Sequence, residues 1–387
     1  MRVLSDTDFR DIFYTLQQEG KVSDAMYVYS FDLLKERLLH LQSVFPSDVL
    51  HAVAIKTNNL PEVLKYITER GFGLEAASFE EVELAIAANC LPTKIVFDGP
   101  VKTSEELKIC NEKFQGLRVN ANSFHELDKL QGLDNLDVGI RINPMLDISA
   151  PDMFMVSGQG SKFGIPITYK EEIIAAVKEN KNIRGLHVHP GSEISKLSEH
   201  VDCISVVHQL AKEINSQLGK RIFWLDIGGG VKAEVTEAGQ QKSIQQFADG
   251  VTKACPGIFE DFAVITEYGR FVHSFCAFAI SKVEDILTYQ NPAVALIHLG
   301  ADLFVREVYS AIAPSHSIHN LSSTNKTLES YDLGGPLCFT GDFLKRNIQI
   351  VKLQIGDYIA IGECGSNTIS MWSQHCSRTK PDIIYVK

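Results

Sequence analysis

The sequence contains no Cys-x-x-Cys pair, no P-loop and no Gly-x-Gly-x-x-Gly behind a strand. It also has no apolar run near the roughly 18 residues that a membrane-spanning helix needs. Each absence excludes a class. Eight scattered cysteines (Cys90, Cys110, Cys203, Cys255, Cys276, Cys338, Cys364 and Cys376) fit neither a zinc ribbon nor a disulfide framework. They point to reduced thiols in a cytoplasmic protein. The opening residues, Met1–Arg10, carry Asp6 and Asp8 and lack the apolar core of a secretory signal. Basic residues are in deficit, 37 Lys and Arg against 48 Asp and Glu, for a net charge of −11. Neither nucleic acid nor an anionic membrane is therefore an expected partner. The glycine cluster Gly158-x-Gly160-x-x-x-Gly164 has the wrong spacing for a dinucleotide site, which weakens an open nucleotide-binding sheet.

What is present is the content of a globular protein, 45 % hydrophobic and 22 % charged over 387 residues, enough for one large domain or two. Short β-rich runs alternate with amphipathic helical patterns. The strand candidates are Leu50–Lys56, Gly73–Ala76, Lys94–Phe97, Gly116–Val119, Val138–Ile142, Gly185–His189, Ile222–Ile227 and Ala263–Glu267. Helical patterns follow them: Pro61–Arg70, one opened by the capping pair Ser78-x-x-Glu81, Thr103–Lys113 with Ser104 as a cap, Ser123–Leu130, Tyr169–Glu179, Leu197–Asn215 and Lys242–Cys255. Eight such units within ~250 residues predict a (β/α)8 barrel. After Arg270 the texture becomes strand-rich, with Phe275–Val283, Ala293–Leu299, Ser330–Leu333, Tyr358–Ile361 and Asp382–Val386, which predicts a separate β domain.

In a barrel the chemistry gathers at the C-terminal ends of the strands. Lys56 closes the first, in Ala54-Ile-Lys-Thr-Asn58, where desolvation lowers an amine's pKa as a Schiff-base lysine requires. A lysine snorkelling outward is the plainer alternative. His187 and His189 close the sixth, in Leu186-His-Val-His-Pro-Gly-Ser192. Gly228-Gly-Gly230 closes the seventh, where bare backbone N–H groups suit an anion. Glu267-Tyr-Gly-Arg270 closes the eighth. Singly each residue could be structural; together, at one end of one barrel, they define a pocket that is expected to be basic.

These residues carry a resemblance. From about residue 25 onward the chain resembles the pyridoxal-phosphate decarboxylases of the alanine-racemase-like barrel fold, the group of ornithine, arginine and diaminopimelate decarboxylases. The motifs around Lys56, His189, Gly228–Gly230 and Glu267, followed by Gly335-Pro-Leu-Cys338, stand in the family's order. Ser161-Lys-Phe-Gly-Ile165, Arg306-x-x-Tyr309 and Ser370-Met-x-Ser-x-x-x-Ser-Arg378 are closer to the diaminopimelate branch. The resemblance implies an α/β fold with a pyridoxal-phosphate-binding (β/α)8 barrel over 31–270. It also implies a β-sandwich or β-barrel-like domain over 271–387, with residues 1–30 packing with the β domain.

It further implies roles. Lys56 would hold the cofactor, pyridoxal 5'-phosphate, and His189 would lie against its ring. Ser192, Gly228, Gly229, Gly230, Gly269 and Arg270 would receive its phosphate, and Glu267 would pair with its ring nitrogen. Cys338 would reach the active site of a partner subunit and protonate the product carbanion, so that an obligate homodimer with shared sites is expected. Glu75 matches a family acid near the cofactor.

Two departures stand out. Phe339 occupies the position where relatives carry an acid for the substrate's distal ammonium, whereas Arg306 and Tyr309 are kept. The expected substrate is thus an amino acid with a distal carboxylate or an acyl or citryl-like group, as in siderophore or secondary-metabolite assembly. Diaminopimelate decarboxylation for lysine synthesis is the alternative, followed by an amino-acid racemase and a catalytically inactive regulatory paralogue. Asn367 stands where the family has a phosphate-contacting tyrosine. No metal is expected.

Overall fold

A computed structural model describes residues 2–149, 156–192, 196–231, 233, 240–310, 316–323 and 327–387. The chain divides into two compact units, Leu38–Phe271 and a second made of Met1–Arg37 with Val272–Lys387. Its first strand, β1 (Ala25–Ser30), belongs to the second unit.

The barrel unit is built on β2 (Leu50–Ala54), β3 (Gly73–Ala76), β4 (Ile95–Phe97), β5 (Arg118–Ala121), β6 (Asp137–Asn143), β7 (Ile165–Pro166), β8 (Ile183–His187), β9 (Trp224–Asp226) and β10 (Ala263–Thr266). All pair in parallel. The order β5-β4-β3-β2-β10-β9-β8-β6 is closed by pairing of β5 with β6, while β7 attaches only to β6. The result is the expected eight-stranded closed barrel. Each strand is short, and near-continuous burial along it is what a sheet covered on both faces demands.

Trp224 plugs the barrel against Ala52, Val96 and Ile265. Room for the indole exists because its neighbours on two strands are glycines: a Cβ at Gly185 would lie 2.1 Å from the ring, and one at Gly139 2.3 Å from it. The indole N–H donates to Asp137 Oδ1 at 2.9 Å, so its polar atom is paired.

Helices follow the strands largely as the sequence predicts, with two adjustments at their starts. Thr103, not Ser104, caps the helix Ser104–Lys113, and it exchanges hydrogen bonds with Glu106 in a full capping box. Ser78 caps the helix Phe79–Ala87, but Glu81 accepts from the N–H of Ala77, one residue earlier than a capping box requires.

The second unit holds a mixed sheet: β11 (Ala277–Leu287), β12 (Ala293–Ile297), β13 (Ile318–Asn320), β14 (Leu328–Gly334), β15 (Phe343–Val351), β16 (Tyr358–Ile361) and β17 (Asp382–Val386), together with β1. β11 is its spine, pairing with β1, β12 and β16. A helix that the sequence reading did not anticipate, Asp6–Gln18, lays Phe9, Phe13 and Leu16 on Met26, Val28, Phe278 and Ile280. Those three share one helical face by their spacing. No helix among the described residues is long and apolar enough to cross a membrane.

Candidate active site

The C-terminal ends of the barrel strands converge on a cluster of charged groups. Lys56, in the turn after β2, donates to Glu75 Oε2 on β3 at 2.6 Å. The amine is 44 % exposed, the carboxylate 1 %. The desolvation expected from sequence does not decide its pKa. Burial pulls the ammonium down, but Glu75, Glu267 and Asp98 together outweigh that and raise it. Glu75 in turn is pushed up by burial, against the pull of Lys56. Lys56 in this arrangement is an ammonium paired with Glu75.

Glu267, just past β10, is 3 % exposed, and neither of its carboxylate oxygens has a hydrogen-bond partner. His187 Nε2 lies 3.5 Å and His189 Nδ1 3.6 Å from its Oε2. Burial alone would raise its pKa, yet the His187 imidazole and the Lys56 ammonium hold it well below the ordinary carboxylate value. The Gly229 N–H donates to His189 Nδ1 at 3.1 Å, which sets a neutral ring protonated on Nε2. Desolvation lowers the pKa of His189 accordingly.

The glycine loop lies beside it. Gly228 N–H donates to Asp226 Oδ1 at 2.9 Å, and Gly228 and Gly230 adopt φ of +68° and +99°. A Cβ on Gly230 would stand 2.0 Å from the Gly191 carbonyl oxygen, so only glycine fits. A Cβ on Gly269 would stand 2.3 Å from Thr57 Cγ2. Ser192 follows Gly191, and Arg270 opens a short helix directly after Gly269.

The cluster is more acidic than the sequence predicts. Glu75, Asp98, Asp226 and Glu267 are all buried there, with Lys56, Arg141 and His187 as cations. Asp98 and Arg141 escaped the sequence reading. Asp98 directly follows β4 and Arg141 interrupts the apolar run of β6, and those two positions were the available signals.

The remaining predicted residues lie in the second unit. Arg306 and Tyr309 are on the helix Val305–Tyr309, and Tyr309 stacks on Phe339 with centroids 5.3 Å apart and planes at 20°. Cys338 is exposed in the loop between β14 and β15. That loop is tied by Asp342, whose carboxylate accepts from the N–H groups of Leu337 (2.8 Å) and Ala301 (2.6 Å). Asn367 has φ of +57°, a left-handed conformation that asparagine tolerates and a tyrosine would enter only with strain. No disulfide occurs among the described cysteines.

An ionised carboxylate with two bare oxygens, a reachable amine and a glycine cradle fit a ligand that brings a protonated ring nitrogen, an aldehyde and an anion. Pyridoxal phosphate has all three. The arrangement thus defines a lysine-bearing barrel for a pyridoxal cofactor.

Comparison with known proteins agrees. Residues 31–274 match the family model described as pyridoxal-dependent decarboxylase, pyridoxal binding domain. The chain is 29 % identical to a diaminopimelate decarboxylase of Aquifex aeolicus, covering 94 % of this chain and 86 % of that one. It is 28 % identical to one of Bacteroides thetaiotaomicron, covering 96 % of each. The fold superposes on diaminopimelate decarboxylase from Helicobacter pylori complexed with L-lysine, with TM-score 0.86, 24 % identity and 96 % and 94 % coverage. The chain belongs to the pyridoxal-dependent decarboxylase family. It is a carboxy-lyase acting on an amino acid with pyridoxal phosphate as cofactor.

Proposed function

We propose that the protein decarboxylates diaminopimelate, releasing CO2 and lysine, as a homodimer in the cytoplasm. The observation that carries this reading is the similarity, over nearly the whole chain, to diaminopimelate decarboxylases from several organisms. The retained Arg306, a cation suited to the distal carboxylate, supports it.

The cofactor, when bound, supplies an electron-poor ring that takes up the electron pair left as the bond between Cα and the carboxyl group breaks. The chain's own residues do the rest. Lys56 would hold the cofactor through Nζ, and the adjacent Glu75 carboxylate would take up the proton that the ammonium must lose. Glu267 holds a proton at the ring nitrogen. His189 would lie against the cofactor ring. Ser192, the Gly228–Gly230 loop, Gly269 and Arg270 would hold the phosphate. Cys338, contributed by the partner subunit, delivers a proton to Cα once CO2 has left.

Phe339 favours a second reading. Stacked on Tyr309, it presents an aromatic face where a distal ammonium would need a carboxylate. That wall suits an amino acid with a distal carboxylate or an acyl or citryl-like group, of the kind used in siderophore assembly. One assay separates the two: CO2 release by the purified holoenzyme from meso-diaminopimelate, ornithine and acyl-diamine amino acids side by side. Fastest turnover of diaminopimelate supports the first reading; turnover only of conjugates replaces it with the second. Phe339→Glu is expected to raise kcat/KM for diaminopimelate about tenfold relative to any conjugate, since a paired ammonium is worth about 1.5–3 kcal/mol.

A further inference from the structure

Behind Glu267 stands a group that the roles above leave unused. His187, the last residue of β8, is fully buried. Its Nε2 lies 3.5 Å from Glu267 Oε2 and its Nδ1 3.2 Å from Asp98 Oδ1. Asp98 Oδ2 accepts from Arg141 Nη1 at 2.9 Å, and the Arg141 guanidinium lies over the Phe163 ring. Neither imidazole nitrogen makes a hydrogen bond, so the ring meets both carboxylates at ion-pair distance, and only the doubly protonated ring carries the charge that pairs with them.

We propose that His187 is a positioning residue for the decarboxylation: as an imidazolium braced by Asp98 and Arg141, it fixes Glu267 as a carboxylate aimed at the cofactor's ring nitrogen. This rests on the role given to Glu267 above.

The charges around the ring favour this state. Facing His187 are Asp98 after β4, Asp226 at the end of β9 and Glu267 after β10; Arg141 on β6 stands behind Asp98, and Lys56, Glu75 and His189 face Glu267. Burial works against a charged His187, but Asp98, Glu267 and Asp226 together lift its pKa to about 10. The four buried carboxylates divide by their partners. Asp98 and Glu267, beside Arg141 and His187, are held below their ordinary values. Asp226, which burial and the Glu267 charge push up, lies well above, and Glu75, pushed up by burial, lies above as well. Asp98, His187 and Glu267 also bring their ligand atoms within 4.8 Å of one another. The Arg141 guanidinium on Asp98 opposes a divalent cation there.

The test compares holoenzymes carrying His187→Gln, Asp98→Asn and Glu267→Gln. Two quantities are read against pH: the absorbance spectrum of the bound cofactor and kcat. Without the imidazolium, Glu267 takes up a proton more readily. In His187→Gln the acid limb of kcat and the spectral transition should therefore both move up by about one pH unit, tenfold in proton affinity. The KM for substrate should change less than about twofold. Asp98→Asn, nearly isosteric, takes away the brace of His187 and should change the spectral transition and the pH profile by less than His187→Gln; it carries the test should His187→Gln fold poorly. Wild-type spectra and profiles in both variants, with Glu267→Gln altered, overturn the proposal. If Glu267→Gln is itself unchanged, the role of Glu267 falls, and that of His187 with it.

Discussion

At Lys56 the amine faces Glu75 rather than an apolar wall, and that carboxylate, with Glu267 and Asp98, reverses the effect expected from its place at a strand end. Glu75→Gln removes the carboxylate nearest the ammonium. The lysine then loses its proton at lower pH, so attachment of cofactor to the apoprotein, followed by absorbance, should reach half its plateau rate about one pH unit lower. Gly230 makes the complementary point about the backbone. Gly230→Ala would place a methyl 2.0 Å from the Gly191 oxygen at φ +99°. Cofactor affinity, measured by titration, should fall at least about tenfold, because strain of roughly 1–3 kcal/mol must be relieved by moving the loop. The sequence made Lys56, His189, Glu267 and the glycine run legible as residue types at strand ends. It did not reveal which charges face each other, since Asp98 and Arg141 reach the cluster from strands far apart in the chain.

Among the elements, the barrel strands were the most legible because each is a short apolar run buried on both faces. β15 was not. Its Lys345, Arg346 and Asn347 break the apolar pattern, yet the strand is held by pairing with β14. The helix Asp6–Gln18 was missed for a related reason: its apolar face is only three buried residues wide, and its purpose is visible only with the sheet in place. The loop carrying Cys338 depends on one side chain. Asp342→Ala leaves the N–H groups of Leu337 and Ala301 without an acceptor, at roughly 1–3 kcal/mol each. The expected outcome is a lower melting temperature and slower CO2 release, with the absorbance of bound cofactor unchanged. Loss of that absorbance would mean that Asp342 supports the cofactor site instead.

The whole molecule carries several histidines that are neutral because they are buried. Desolvation brings His51 to about 4 and His200 and His273 to about 3. Their folded pKa values lie below the ordinary 6.5, so the unfolded chain binds protons first as pH falls. The stability they contribute is complete above pH 6.5 and is lost progressively below it, towards 3 to 4. Each is worth on the order of 3–5 kcal/mol once fully protonated in the unfolded chain. The melting temperature should be nearly level from pH 7 to 8 and drop steeply between pH 6 and 4. His273→Phe should flatten that drop if it folds, because Tyr29 Oη, 2.7 Å from Nδ1, is the main polar contact the substitution removes. A profile that stays level down to pH 4 would show that these rings are not buried neutral.

β1 also sets a timetable. Ala25–Ser30 leaves the ribosome well before its register partners, Ala277–Ser281 and then Asp382–Val386. All the barrel strands lie between, in one uninterrupted stretch of chain. During synthesis the barrel can close while β1, with Met26, Tyr27, Val28 and Tyr29, still waits as an exposed strand edge. The nascent chain therefore passes through a stage in which its central portion is folded and its first strand is a template for the wrong neighbour. A slow ribosome lengthens that exposure.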